Sequence, residues 1–262
     1  MKDQVIVITG ASAGIGAALA ELVVQRGGRV VLAARREDEL AALAIKLGGS
    51  AHAIAVPMDV TRRADNETLR DKALAAFGQI DVFVANAGRG ISRMVSELTD
   101  ADIDEMMTVN FKSVLYGIQA VLPHFKERKR GQIVAVSSGL SRFAVAPQRS
   151  AYSASKAAVN LLMASLRGEL RADYPDIWAT TVMPGVVATD FGKNAKHGGV
   201  DNSKLPGAQP VGEVAEVIAS VIEKPRAEIY TRPQMRQLAE KYFSADDVAD
   251  IEKTFGMPPP PR

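Results

Sequence analysis

Short β-branched runs alternate with amphipathic stretches along most of this chain, and that alternation limits its fold more than any other feature. Strands are predicted over residues 5–9, 30–33, 53–57, 81–85, 133–137, 178–183 and 228–230. Helices are predicted over 15–26, 37–47, 65–77, 102–107, 109–127, 152–171 and 211–222, where apolar residues recur at three- and four-residue spacing, as at Leu40, Leu43 and Leu47. A helical crossover between consecutive strands forces parallel pairing, and a parallel sheet needs helices on both faces. The expected fold is α/β, a doubly wound parallel sheet of about seven strands.

With 262 residues and 47% hydrophobic content the chain can bury one large core, so residues 1–262 are expected to form a single domain. The 32 basic and 30 acidic side chains nearly cancel, which argues against a nucleic-acid partner, because phosphate contacts need a concentrated basic surface. The densest basic run, Lys126 to Arg130, reads as a solvated helix end. The absence of cysteine removes disulfide and thiol chemistry. His52, His124 and His197 lack compact zinc spacing, and no metal site is expected. No uncharged apolar run reaches the ~18 residues of a membrane span, and no signal sequence precedes the first strand. The chain reads as soluble and cytoplasmic, with no membrane partner.

Two stretches interrupt the alternation. Residues 190–210 are polar and contain Gly198-Gly199, and they read either as a disordered insert or as a substrate lid. Residues 257–262 carry four consecutive prolines, which remove amide donors, so they form a frayed tail or an arm on a neighbouring subunit.

The first strand runs into Thr9-Gly10-Ala11-Ser12-Ala13-Gly14-Ile15-Gly16. Glycines there permit a tight turn and close approach of a ligand, and the helix that follows offers free amides to a pyrophosphate. The spacing of Gly10, Gly14 and Gly16 departs from G-x-G-x-x-G, and a tight structural junction is the competing reading. Arg35-Arg36 follow the second strand, where dinucleotide folds meet the adenosine ribose. An acid there suits NAD(H), whereas a guanidinium suits the 2′-phosphate of NADP(H). With no acid present, the pair favours NADP(H) over NAD(H), against the plainer reading of a solvated turn. Asp59, followed by Val60, either accepts from the adenine amino group or caps a turn. Asn86-Ala87-Gly88 ends the fourth strand, at the edge where ligands bind, and Asn86 is either a ligand contact or a brace.

Tyr152 and Lys156 lie four residues apart on one helix face. An ammonium near a phenol favours the phenolate, and such a phenol can donate a proton to a carbonyl oxygen or take one from an alcohol. Ser138 follows the fifth strand and can hydrogen-bond the substrate oxygen, with Ser141 as the competing serine. Asn110, at or within an earlier helix, can hold a water that links Lys156 to solvent. Taken singly these are weak signals; their joint placement at strand ends gives them weight.

Together these motifs resemble the classical short-chain dehydrogenase/reductase family over residues 3 to 232. Its glycine motif corresponds to Thr9 to Gly16, its adenine-side acid to Asp59, and its N-N-A-G to Ala85-Asn86-Ala87-Gly88 with the first asparagine missing. Its catalytic set corresponds to Asn110, Ser138, Tyr152 and Lys156, and its P-G-x-x-x-T to Pro184, Gly185 and Thr189. The resemblance implies a Rossmann-like fold and hydride transfer between a nicotinamide cofactor and a carbonyl or alcohol substrate. Tyr152 would be the general acid or base. Lys156 would lower the Tyr152 pKa and bind the nicotinamide ribose, and Ser138 would polarise the carbonyl. Asn110 would complete a proton relay. The implied cofactor set is Gly10, Ser12, Ala13, Gly14, Ile15, Gly16, Arg35, Arg36, Asp59, Val60, Asn86, Ala87, Gly88, Tyr152, Lys156, Pro184, Gly185, Val187 and Thr189. A homodimer or homotetramer is also implied.

Three departures stand out: Ser138 and Tyr152 are one residue further apart than is usual, Ala13 stands where many NADP-using relatives are basic, and Ala85 replaces an asparagine. Leu140, Phe143, Val145 and Phe191 either line an apolar substrate pocket or cover the core. An NAD-dependent dehydrogenase of the same family and a non-catalytic nucleotide-sensing scaffold are the rival readings.

Overall fold

The computed structural model describes residues 1–255, so the proline run at 257–262 lies outside the described residues. All strand pairings are parallel. The strands are β1 (Val5–Thr9), β2 (Arg29–Ala34), β3 (Ala53–Pro57), β4 (Val82–Ala85), β5 (Gly131–Val136), β6 (Ile177–Met183) and β7 (Glu228–Tyr230). They form one seven-stranded sheet in the order β3-β2-β1-β4-β5-β6-β7. The order reverses between β1 and β4, and the crevice at such a reversal is where open α/β sheets bind ligands.

Alternation along each strand sends successive residues to opposite faces. Ile6, Ile8, Val30 and Leu32 pack under α1 (Gly14–Gln25), α2 (Glu37–Lys46) and α7 (Val211–Glu223). Val5, Val7, Val31 and Ala33 pack under α3 (Arg63–Phe77), α5 (Ser113–Arg128) and α6 (Ser150–Leu170). Both faces are thus dry, and each fully buried Val, Leu or Ile contributes roughly 1.5–3 kcal/mol to burial.

The expected strands and helices are present with ends shifted by a few residues. Asn110 sits in neither helix proper. It lies in a π-helical turn, Thr108–Lys112, that joins α4 (Asp100–Met107) to α5. Such one-turn widenings concentrate at functional sites. Two further helices, α8 (Pro233–Phe243) and α9 (Val248–Glu252), follow β7 and were not anticipated. Their signal was present: Pro233 at the first helical position, then Met235, Leu238, Ala239 and Tyr242 at helical spacing. Among the described residues no helix is long and apolar enough to cross a membrane.

Residues 190–210 dock across the strand ends. Ile91 pairs with Lys196 and Val187 with Gln209 in isolated parallel bridges, and Ala195 and Gln209 are buried. Lys196 donates to both Asp102 (2.9 Å) and Glu105 (2.8 Å), and His197 Nε2 lies 2.8 Å from Asp102. Asp102 itself is buried at the start of α4, where these partners hold its carboxyl far below the usual carboxylate range.

Candidate functional site

The glycine turn is locked from beside it by β4. Gly10 adopts φ +68°, and a Cβ there would lie 3.0 Å from the Ala87 Cα. Asn86 Nδ2 donates to the carbonyls of Thr9 (2.9 Å) and Gly10 (3.3 Å), while the Asn86 and Ala87 amides donate to Thr9 Oγ1 at 3.0 and 3.1 Å. Asn86 is therefore a brace. Gly14 also has a positive φ, +56°, and faces Thr189, so the turn meets the loop after β6. Helix α1 begins without a side-chain cap and without an acid in its first turn. Its free amides and positive dipole end suit an anion, so this turn fits a dinucleotide pyrophosphate.

Toward the adenosine side, Arg36 Nη2 and Nε donate to Ser12 Oγ at 2.9 and 3.2 Å, and its Nη1 pairs with Glu39. Arg35 is exposed beside it. Asp59 accepts from the Thr61 amide and hydroxyl at 2.9 and 2.8 Å, so it caps its turn, and the Val60 carbonyl accepts from Asn66.

At the other end, α6 carries Tyr152 and Lys156, both buried. Lys156 Nζ donates to the Val136 carbonyl at 2.8 Å and lies 6.0 Å from the centre of the Tyr152 ring. An ammonium has three protons, and Val136 takes one. A Cβ on Gly88 would lie 3.2 Å from Asn110 Oδ1 and 3.4 Å from Lys156 Nζ, so this loop packs closely on both side chains. Asn110 clamps it: Oδ1 accepts from the Arg89 amide (2.8 Å), and Nδ2 donates to the Arg89 carbonyl and to Ser155 Oγ, each at 3.0 Å. Ser138 Oγ caps a short turn by accepting from the Leu140 amide and also interacts with the Tyr152 phenol. Ser141 is turned away, donating to the Ser138 carbonyl and accepting from Asn160.

Burial pushes the Tyr152 phenol up; Ser138 and the charge of Arg149 pull it partly back. Lys156 Nζ lies over the Tyr152 ring, 6.0 Å from its centre, and its own pKa is pushed down by burial to about 8. Sequence spacing places the two on one helix face but cannot show which cation faces the phenol.

The depressed Lys156 pKa makes stability pH-dependent. Between about 8 and the ordinary 10.5, the unfolded chain holds a proton that the folded chain lacks, so stability rises with pH across that window. Relative to Lys156→Met, the wild-type protein should gain on the order of 3 kcal/mol as pH rises through it, at ~1.4 kcal/mol per unit. Urea denaturation at both ends of the window measures this, and a pH-independent difference between the two proteins would contradict it.

The substrate side is closed by residues from three loops. Phe191 stacks edge-on against Tyr152 with ring centres 5.5 Å apart, and Leu140 packs in the same cluster with Ile91 and Met106. Phe143 is instead buried against Tyr242 of α8 and Phe255, 5.8 and 5.7 Å away, and so covers the core. Met235 of α8 packs over Gly139 and Gly185, which makes α8 a wall of the cleft beside Pro184 and Gly185. Among the described residues no group of three or more potential metal ligands occurs.

The profile of the family described as short chain dehydrogenase matches residues 4–198. An uncharacterized oxidoreductase of Listeria innocua is 36% identical over 233 residues, covering 86% of this chain and 92% of its own. A Thermococcus sibiricus alcohol dehydrogenase, solved with 5-hydroxy-NADP, is 30% identical with a TM-score of 0.76, covering 87% of this chain and 96% of its own. A short chain dehydrogenase/reductase from Burkholderia phymatum, solved with NAD, is 26% identical with a TM-score of 0.84 and covers 100% of this chain and 98% of its own.

Proposed function

This chain, an oxidoreductase, belongs to the short-chain dehydrogenase/reductase family, and from that premise we propose that it uses NADP(H) to interconvert a carbonyl compound and its alcohol. The observation that carries the reading is the convergence of two features on one sheet edge: the uncapped glycine turn at the end of β1 and the buried Tyr152–Ser138–Lys156 group on β5 and α6.

Gly10, Ser12, Ala13, Gly14, Ile15 and Gly16 would hold the pyrophosphate, and Arg35 and Arg36 the 2′-phosphate. Asp59 and Val60 would meet the adenine, and Asn86, Ala87 and Gly88 would line the middle of the site. Pro184, Gly185, Val187 and Thr189 would meet the nicotinamide, with Tyr152 and Lys156 on its ribose. When bound, the nicotinamide supplies or accepts the hydride.

The chain's own groups handle the proton. In reduction, Tyr152 Oη donates its proton to the carbonyl oxygen, and in oxidation it takes the alcohol proton. Ser138, beside the phenol, hydrogen-bonds the same oxygen and fixes its direction. Lys156 directs its remaining protons toward the ribose. Asn110 holds Gly88 and α6 in register, so that Lys156 and the loop keep their spacing. Phe191 covers Tyr152 and excludes water, and residues 190–210 act as the lid.

The test is reduced-nicotinamide consumption by the purified protein, with NADPH and NADH compared across aldehydes and ketones. Arg36→Ala should raise the KM for NADPH about tenfold, in line with loss of a charge-assisted hydrogen bond, while leaving that for NADH nearly unchanged. Equal effects on both cofactors would remove Arg36 from the phosphate site.

A further inference from the structure

One guanidinium beside the reaction centre has no charge partner among the described residues. Arg149 ends the short turn Pro147–Arg149 and stands at the N-cap of α6. Its Nη1 donates to the Ile91 carbonyl at 2.9 Å, and this is its one side-chain hydrogen bond among the described residues. Nearby cations differ. Arg89 pairs with Glu105, Arg93 with Asp102, and Lys196 with both acids. Among the described residues Arg149 has no such acid.

The position is unfavourable for a lone cation. The N-terminal end of a helix carries partial positive charge, and the 21-residue α6 has no acid in its first turn. Lys156, a second cation, is buried two turns further along. Half-burial already pushes the Arg149 pKa down, and its charge reaches the Tyr152 phenol. A bound anion would relieve all of this.

The surroundings keep the guanidinium in place. Three loops meet there. The Arg93 amide donates to the Gln148 carbonyl at 2.8 Å, and the Lys196 amide to the Gly90 carbonyl at 2.9 Å. A Cβ on Gly90 would lie 3.3 Å from Arg149 Nη1, and one on Gly199 would lie 3.2 Å from Nη2. Glycines from two different loops thus flank the charged group. With Nη1 committed to Ile91, the Nε and Nη2 edge presents two parallel donors, the geometry that matches a carboxylate.

We propose that Arg149 is a substrate-recognition residue whose guanidinium binds a carboxylate on the substrate, so that the substrates are oxo acids and the corresponding hydroxy acids. One unpaired fork and one charge match a monoanionic carboxylate, and Arg89, Arg93 and Lys196 are already paired with acids. The inference rests on the hydride-transfer reading above and narrows its substrate class.

The experiment compares acetoacetate and levulinate with their methyl esters, which keep the carbonyl and remove the charge. Substrates are paired with NADPH and, separately, NADH. In the wild-type protein, kcat/KM for at least one acid should exceed that for its ester by about 10- to 100-fold, the size of a charge-assisted, two-point contact. In Arg149→Met that acid-to-ester ratio should collapse toward one, mainly through KM. Arg149→Lys, which keeps the charge and loses the fork, should fall between. Thermal melting checks that the variants fold; if Arg149→Met does not, the wild-type ratio decides. A wild-type ratio at or below one for both pairs overturns the carboxylate subsite, as does a Met variant that keeps the wild-type ratio. In either case continued ester turnover leaves hydride transfer standing. No turnover of acid or ester with either cofactor overturns both readings together.

Discussion

Tyr152→Phe should lower kcat about 10²- to 10⁴-fold, the range of a lost general acid or base. The change removes one oxygen and keeps the ring. The edge-on contact with Phe191 at 5.5 Å and the packing against Leu140, Ile91 and Met106 all survive it. The fold should therefore be untouched, and cofactor affinity should change less than tenfold, because the glycine turn lies at a different strand end. Initial rates from the absorbance of reduced nicotinamide, alongside a fluorescence titration of cofactor, separate the two effects. A variant that turned over at the wild-type rate would remove Tyr152 from proton transfer. The raised phenol pKa has a further sign: the oxidative direction, which needs the phenolate, should speed up as pH rises, while reduction should not.

Gly16→Val should damage both the fold and the cofactor site. Gly16 is in the first turn of α1, and a Cβ there would lie 2.5 Å from the Gly10 carbonyl oxygen, 2.8 Å from Asn86 Nδ2 and 2.9 Å from the Ala11 Cα. Two of those neighbours are backbone, and the third is the brace of the turn. None can yield as the tip of a flexible side chain would. Overpacking of this kind costs about 1–3 kcal/mol, and the larger valine should reach or pass the upper end. Displacing the turn also re-aims the α1 amides, so cofactor affinity should fall at least tenfold, or about 1.4 kcal/mol. Urea denaturation without cofactor and titration with it measure the two parts. Wild-type stability in the variant would mean that the turn relaxes in a way this geometry does not allow.

Much of the fold was legible because it rests on periodicity. Residues such as Ile6 and Val7 alternate faces, Leu19 and Val23 recur on a helical face, and each strand is flanked by a turn. Helices α8 and α9 are short and polar on most sides, so their apolar stripe is a weak signal in sequence. Around the site, Tyr152, Lys156 and Ser138 were legible as motif positions. Their electrostatic relation was not. Lys156 is four residues from Tyr152 in sequence, and the charge of Arg149, three residues before Tyr152, also reaches the phenol. Nothing in a run such as Pro147-Gln148-Arg149 reveals that its last side chain meets Ile91 and Gly199, which arrive from distant loops. Likewise, that Asn86 braces the turn through Thr9 and that Asp59 caps its own turn through Thr61 becomes visible only from their hydrogen-bond partners.

The wall supplied by α8 has a different kind of consequence. Met235 touches the loop that carries Ser138 and the Pro184-Gly185 corner, but α8 contributes neither a strand to the sheet nor a group to proton transfer. On the reading proposed above, one wall of the cleft is therefore carried by a helix that takes no part in moving the proton. Lineages could exchange the residues around 233–243 and redirect such an enzyme to a new substrate without reinventing its chemistry. An engineer could do the same, by randomising one exposed helix and leaving the sheet alone.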